Sequence, residues 1–473
     1  MNELFEKELI EKIDELIEKH REDFLEDLRK LIAVRSVQGE AKENAPFGEG
    51  PRKALEVALE IARKMGFETK NVDNYAGHVQ FGEGGKLYGV LGHLDVVPEG
   101  EGWETDPYEL HMKDGFLIGR GVADNKGPSL GALYALKIVK ELGVEPKNTV
   151  RIIFGTNEES GFGGVQYYFQ KEPYPDVAIV PDAGFPLIYA EKGIINYTFK
   201  MKFSGENHHT KILKFKGGTA SNVVPQNCEV KIETQKVSEV EYTLKNFEPQ
   251  NGANIEWKIS GNTFEIKTTG KPAHASTPQL GVNAISAMLE FLTRLDLGDE
   301  WNKAIKVLYH KLGRDHHGEG LRISGKDGIS GELTCNLGVI SMNDEFLEAV
   351  INIRYPIFYN SGMMTFQIKE AMKPFEVEVG KDSKPLYVPK ESELVQTLLS
   401  IYREITGDYT SEPMTMGGGT YARAVPYGVA FGAGFPGDPD SHVHQANERI
   451  KLESIPKFIK IYALVLYRWL KEG

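Results

Sequence analysis

The sequence has 473 residues, more than one ordinary core buries, so two or more domains are expected. Hydrophobic residues make up 41% and charged residues 26%, a soluble globular balance, and the net charge of −13 argues against the basic surface that nucleic acid or anionic membrane requires. Only Cys228 and Cys335 are present, with no C-x-x-C pair, which argues against a disulfide scaffold and a zinc–thiolate site, so nitrogen and oxygen must hold any bound metal.

The first twenty residues are dense in Glu, Lys and Asp, which no secretory signal tolerates, and no apolar run approaches the ~20 residues of a membrane span. Cytoplasmic residence is the expectation. Residues 3–34 read as two amphipathic helices, the second with Phe24, Leu28, Leu31 and Ile32 on one stripe. A third helix is expected over 51–65, with Pro51 at its start and Gly66 at its end. The apolar run 87–91 reads as a buried strand that ends at His93-Leu94-Asp95. Residues two apart on a strand point the same way, so His93 and Asp95 project together at its end. That pair suits a metal ligand with an acidic partner; it equally suits a buried histidine bonded to a neighbouring carboxylate.

A glycine-punctuated loop containing Gly121-Val122-Ala123-Asp124-Asn125-Lys126-Gly127 leads into a helix marked by Leu130, Leu133, Leu136 and Val139. Asp124 therefore sits at a helix N-terminus, where a lone Asp is ordinarily a cap. A strand over 150–154 ends near Glu158-Glu159, a helix follows near 163–171, and a strand over 177–180 ends at Asp182. This alternation predicts an α/β layer with a mostly parallel sheet, whose ligands sit beyond the carboxyl ends of the strands. From about residue 190 the texture changes to period-two strands, for example 195–201, 228–232, 264–267 and 350–354, with helices near 282–295 and 362–373. The expected architecture is a catalytic α/β domain over 1–189 and 385–473, interrupted by an inserted α+β domain over 190–384. The closing stretch holds a helix over 392–406, a strand over 428–432, His442 and His444, and a core-docked final helix.

His93, Asp95, Asp124, Glu158, Glu159, Asp182, His442 and His444 thus gather near strand ends or in loops. So many carboxylates together demand cations. Two divalent ions ~3.5–4 Å apart, bridged by one carboxylate, resolve the repulsion and leave another carboxylate to take a proton from water. Mixed imidazole and carboxylate ligation suits zinc, and also manganese or cobalt.

The pattern His93-Leu94-Asp95, Gly121 to Gly127, Glu158-Glu159, Asp182 and His444-x-x-Asn447-Glu448 resembles the M20 family of di-zinc peptidases and deacylases along nearly the whole chain. The stretches 46–50, 217–225, 270–278 and 417–423 are similar to its dipeptidase branch. The resemblance implies two metal ions, with His93 and Asp182 on the first, Glu159 and His444 on the second, and Asp124 bridging. It implies that Asp95 orients His93, and that Glu158 is the general base for a bridging water and later the acid for the leaving amine. It also implies a cis peptide at Asp124–Asn125. His444 rather than His442 carries the family spacing to Asn447-Glu448. In the inserted domain, which resembles the family lid, His274 would stabilise the oxyanion, and Asn222 and Arg354 would bind the substrate carboxylate. Gly419 and Thr420 would line the pocket. On the residues alone, His274 is a turn histidine beside Pro272 and Pro278, and Arg354 is a strand-surface charge. The long insertion resembles the branch whose enlarged lid replaces a partner subunit, which implies a monomer. The expected activity is cleavage of short unblocked peptides, with N-acyl amino-acid deacylation or desuccinylation as the alternative.

Overall fold

A computed structural model describes residues 3–203, 208–342 and 346–471. The chain divides into two compact units. The first takes the chain up to Tyr189, Tyr387–Met414 and the chain from Gly419 on; the second takes Ala190–Leu386 and Thr415–Gly418. The sequence reading assigns 415–418 to the catalytic part. The structure groups it with the second unit, because Lys192 N–H donates to Met416 O and the Arg354 guanidinium donates to Gly417 O.

In the first unit the main sheet includes β1 (Glu68–Val72), β2 (Ala76–Phe81), β3 (Leu87–His93), β4 (Thr149–Gly155), β5 (Val177–Val180) and β6 (Gly428–Ala430). They lie side by side in the order β1-β2-β4-β3-β5-β6. The pairs β4–β3, β3–β5 and β5–β6 are parallel. The hairpin β1–β2 adds an antiparallel edge to β4. Its outer strand, Glu68-Thr69-Lys70-Asn71-Val72, is polar and mostly exposed, so it carries no apolar run to betray it. The inner strands do: from Tyr88 to His93 every residue of β3 is buried, as expected of a parallel strand covered on both faces.

The covering helices are α1 (Glu3–Lys19), α2 (Arg21–Ile32), α3 (Glu49–Lys64), α4 (Lys126–Glu141), α5 (Gly163–Lys171), α6 (Glu393–Thr406) and α7 (Ser454–Lys471). Helix α4 is buried on nearly every side, consistent with its run of Leu, Ala and Gly rather than a single stripe. It lies between the sheet and α7. Among the described residues no helix is long and apolar enough to cross a membrane. Helix ends follow local chemistry. Ser392 Oγ accepts from Val395 N–H at the start of α6, and Gly407, at φ 69°, closes it.

The second unit is built on an eight-stranded antiparallel sheet, ordered 254–260, 263–269, 227–234, 210–217, 334–342, 346–355, 193–202 and 376–379. Its strands alternate more and less buried residues, as in 193–202, where buried and half-buried positions alternate, and Phe199, Phe215, Ile232, Phe264, Met288, Phe291 and Ile351 contribute to its core. The sequence reading passes over helices 237–245 and 299–308, although Val240 and Leu244 in the first and Ala304, Ile305 and Leu308 in the second are buried at helical spacing. Cys228 and Cys335 are buried free thiols.

Gly131 of α4 faces the ring of Phe458 in α7. A Cβ there would stand 2.3 Å from Phe458 Cε2. Gly131→Ala gains about 1 kcal/mol of helix propensity, but overpacking a filled core costs about 1–3 kcal/mol. The substitution should lower the denaturant midpoint of unfolding; a raised midpoint would show that Phe458 yields freely.

Candidate metal centre

Strand register builds the site. His93 pairs with Gly155 in parallel β3 and β4, so the loops leaving both strands start side by side. Leu94 N–H donates to Gly155 O at 3.0 Å and ties them together. Asp182 follows β5 on the same edge, and Asp124 ends the loop that enters α4. The Asp124–Asn125 peptide bond is cis.

The side chains converge around Asp124. Its Oδ1 lies 3.0 Å from His93 Nε2, and its Oδ2 lies 2.9 Å from His444 Nε2. His93 Nε2 also lies 3.6 Å from Asp182 Oδ2, and His444 Nε2 lies 3.1 Å from Glu159 Oε2. Asp124 therefore offers one oxygen to each of two groups, His93 with Asp182 and His444 with Glu159. A Glu158 carboxylate oxygen joins the first group, with donor atoms of His93, Glu158 and Asp182 within 4.8 Å of one another. His442 is elsewhere: its Nε2 lies 3.4 Å from Arg449 Nη2.

The electrostatics fit a cation. Burial opposes charge on His93, but Asp182 and Asp124 lift its pKa well above the ordinary imidazole range. Partial burial works against the charged His444 ring, and bonds to Asp124 and Glu159 outweigh it, pushing the pKa up to about 11. Burial raises Glu158 well above the carboxylate range and, with Asp124 beside it, raises Glu159 to about 7. Asp182 is raised by burial and by Asp124. Burial would raise Asp124 too, but the flanking imidazoles hold it below its ordinary value. Protons are thus bound tightly where positive charge is in demand. Glu159 Oε1 is buried without a hydrogen-bond partner, an acceptor left over that a cation would satisfy. Donors about 3.3 Å apart are also what a tetrahedral shell with ~2.0 Å bonds produces. The residues present fit two divalent ions.

Asp95 meets the His93 ring chiefly through its main chain. The ring Nδ1 of His93 lies 3.0 Å from the Asp95 main-chain oxygen and 3.6 Å from its carboxylate. The carboxylate instead accepts the main-chain N–H groups of Glu158 at 2.9 Å and Glu159 at 3.1 Å. Asp95 is fully buried, and such charge-assisted bonds contribute about 1.5–3 kcal/mol each. One residue holds the imidazole with its backbone and the Glu158-Glu159 pair with its side chain.

Sequence reasoning assigned no role to Asn125. Its side chain, fully buried, donates to Pro181 O at 2.5 Å and Asp182 Oδ1 at 3.2 Å, and its Oδ1 accepts from Ser129 Oγ and His93 N–H. It links three ligand-bearing segments. Tyr421, edge-on to His93 with ring centroids 6.1 Å apart, was missed as well. Thr420 is buried and caps the turn at 421–424 by accepting from Ala422 N–H, next to Gly419. A cleft of about 560 Å³ opens beside Asp124 and Asp182.

Within the second unit, Asn222, His274 and Arg354 fall in one neighbourhood. Val223 and His274 form an isolated bridge, and Ala275 N–H donates to Asn222 O. Thr334, the register partner of Arg354, donates its hydroxyl to Ala275 O. Arg354 is buried, not a strand-surface charge: Nε donates to Asn352 Oδ1 at 2.7 Å and Nη1 to Gly417 O at 2.9 Å. His274 is exposed, and its Nδ1 receives Ser276 N–H at 3.3 Å and lies 2.6 Å from Ser276 Oγ. Accepting at Nδ1 places the neutral ring's proton on Nε2. A separate group, His208, His209 and Asp296, is more exposed, and Lys236 and Asn302 engage its carboxylate.

Comparison with known proteins agrees with this geometry. Residues 89–468 match the family described as peptidase family M20/M25/M40. The chain is 38% identical over 462 residues to "Putative dipeptidase YtjP" of Bacillus subtilis (strain 168), covering 97% of this chain and 99% of that one. It is 36% identical to "Putative dipeptidase SAUSA300_1697" of Staphylococcus aureus (strain USA300), covering 96% and 98%. Among solved structures, human carnosine dipeptidase 1 shares the fold at a TM-score of 0.58 and 16% identity, over 98% of this chain and 100% of that one. The chain belongs to peptidase family M20/M25/M40.

Proposed function

We propose that the chain is a metal-dependent dipeptidase that cleaves the single peptide bond of short unblocked peptides. The observation that carries this reading is the two-sided engagement of Asp124, with one oxygen toward His93 and Asp182 and the other toward His444 and Glu159. Relatives named as dipeptidases along almost the full length support the substrate class.

His93 and Asp182 would hold one divalent ion, Glu159 and His444 the other, and Asp124 both. Zinc is the first choice on the ligand mix, with manganese or cobalt as substitutes. When bound, such ions acidify water and polarise a carbonyl. Glu158 then takes the proton of the attacking water. Its burial, which raises its affinity for that proton, suits it to pass the same proton to the departing amine. Water is consumed and two amino acids leave. His274 would present Nε2–H to the oxyanion, and Asn222 and Arg354 would receive the substrate carboxylate, with Gly419 and Thr420 lining the pocket. The pre-oriented guanidinium of Arg354 supports that assignment, since little freedom remains to be lost on binding. The accompanying proposal for the protein's state is a cytoplasmic monomer, on the composition and the length of the insertion.

Chelation should abolish hydrolysis of a dipeptide panel, and zinc, cobalt or manganese should restore it; chelator-resistant turnover would contradict the reading. Turnover of N-acetyl or N-succinyl amino acids alone would replace dipeptidase by deacylase. Glu158→Gln should lower kcat by about 10²–10⁴ with both ions retained. His274→Ala should lower kcat by about 10²–10³ at unchanged metal content, and a loss of metal would place His274 among the ligands instead.

A further inference from the structure

We propose that Glu448 is a positioning residue that fixes Asp124 and His444 in ligand geometry before any cation arrives. The inference rests on the two-ion reading above and concerns how this chain prepares that site.

Glu448 is fully buried and belongs to neither group of converging donor atoms. Its carboxylate is surrounded by the loop that carries Asp124. Oε1 accepts the main-chain N–H of Ala123 at 2.9 Å and of Asp124 itself at 3.0 Å. Oε2 accepts Gly121 N–H at 3.0 Å and Arg120 Nη1 at 2.8 Å. The Glu448 main-chain oxygen accepts Gly119 N–H at 3.0 Å. Five donors from residues 119–124 thus converge on one residue 324 positions away.

The backbone of this loop needs an external template. Gly121 has a φ of 89°, and the amides of Ala123 and Asp124 precede α4, where no helical acceptor exists for them. Only a buried acceptor with two oxygens meets all of them. Its charge is compensated by Arg120, itself buried, whose Nη2 also donates to Glu99 O and whose guanidinium lies 5.2 Å from the Trp103 ring centre. A neutral side chain would leave Arg120 uncompensated and fewer acceptors for the loop.

The same anchor holds the second loop. His444 stands four residues before Glu448, in a stretch where His442, His444 and Asn447 all have left-handed backbones, at φ 54°, 63° and 59°. Non-glycine residues take that region at a cost and stay there when the surroundings fix them. Asn447 supplies part of the fixing: its Oδ1 accepts Glu104 N–H at 2.9 Å and its Nδ2 donates to Gly102 O at 3.2 Å. Arg449 adds to it, with its N–H donating to Ser441 O and its Nε to Asp440 O, both at 2.9 Å, and Glu448 anchors the end of the stretch to the Asp124 loop. In the His444–Glu159 group, Asp124 is held by the Glu448 carboxylate and His444 lies four residues from that anchor, whereas His93 and Asp182 are also tied through Asn125. Loss of Glu448 should fall hardest on the second ion.

The test is a zinc titration of metal-free wild type and Glu448→Gln, followed by calorimetry and by dipeptide hydrolysis. The wild type should bind two ions. The variant should bind the first within a few-fold of wild type and the second about 10–100-fold more weakly. Because the Glu448 carboxylate faces Arg120 and the loop amides, saturating zinc should restore most of kcat with KM unchanged. Wild-type affinity for both ions in a folded variant would overturn the proposal, as would a kcat loss that excess zinc does not rescue. If the variant does not fold, hydrogen exchange on metal-free wild type decides: peptides spanning 119–125 should be protected before metal is added, and protection that appears only after loading would assign the ordering to the ions. A wild type that binds no divalent ion would overturn the two-ion reading itself, a result distinct from two ions bound equally by both proteins.

Discussion

The constraint on which the site depends is the gathering of four carboxylates at one edge of a parallel sheet. Asp124, Glu158, Glu159 and Asp182 bring four negative charges if all are ionised, and His93 and His444 are the only imidazoles among the assigned donors. Two like charges 4 Å apart repel by about 4 kcal/mol even at an effective dielectric constant of 20. The two proposed divalent ions would carry the compensating charge. Without them the groups compete for protons, and the high proton affinities of His93, His444 and Glu159 express that competition. The fold's part is to make the gathering unavoidable: parallel pairing of β3 with β4 and β5 starts the ligand-bearing loops at neighbouring positions.

Placement within that edge is achieved through main-chain groups more than through contacts between ligands. Asp95 spends both carboxylate oxygens on the N–H groups of Glu158 and Glu159, and its own carbonyl oxygen on the His93 ring. Asn125 joins the His93 backbone to the Asp182 side chain. Each tie leaves the ligating atoms themselves open toward the space they share. Asp95 and Asn125 are buried, so their bonds escape competition from water, and the segments they hold are the ones whose displacement by an ångström would change ligand geometry.

Much of this was legible in the sequence because strand and helix periods are local. The run Leu87–Leu91 gave the strand that ends at His93, and Val177–Val180 the one that ends near Asp182. The family resemblance then assigned roles that spacing could not, His444 over His442 among them. What sequence could not supply was direction. The i, i+2 rule put His93 and Asp95 on one side of the chain, but whether the Asp95 carboxylate or its carbonyl oxygen met the ring depends on a turn after the strand. Arg354 looked like an exposed charge in an alternating strand; it is buried because Asn352 and Gly417 receive its donors. The β1–β2 hairpin went unseen because tertiary pairing, not an apolar pattern of its own, stabilises it; helix 299–308 does carry an apolar stripe, with Ala304, Ile305 and Leu308 buried, inside a stretch otherwise read for period-two strands.

The central claim is that two divalent ions share Asp124. The most direct measurement is an anomalous diffraction experiment on crystals of the zinc-loaded protein, collected on both sides of the zinc edge. The account predicts two anomalous peaks ~3.5–4 Å apart, each within bonding distance of a different oxygen of Asp124. A single peak, or two peaks with Asp124 bonded to neither or to only one, would contradict it.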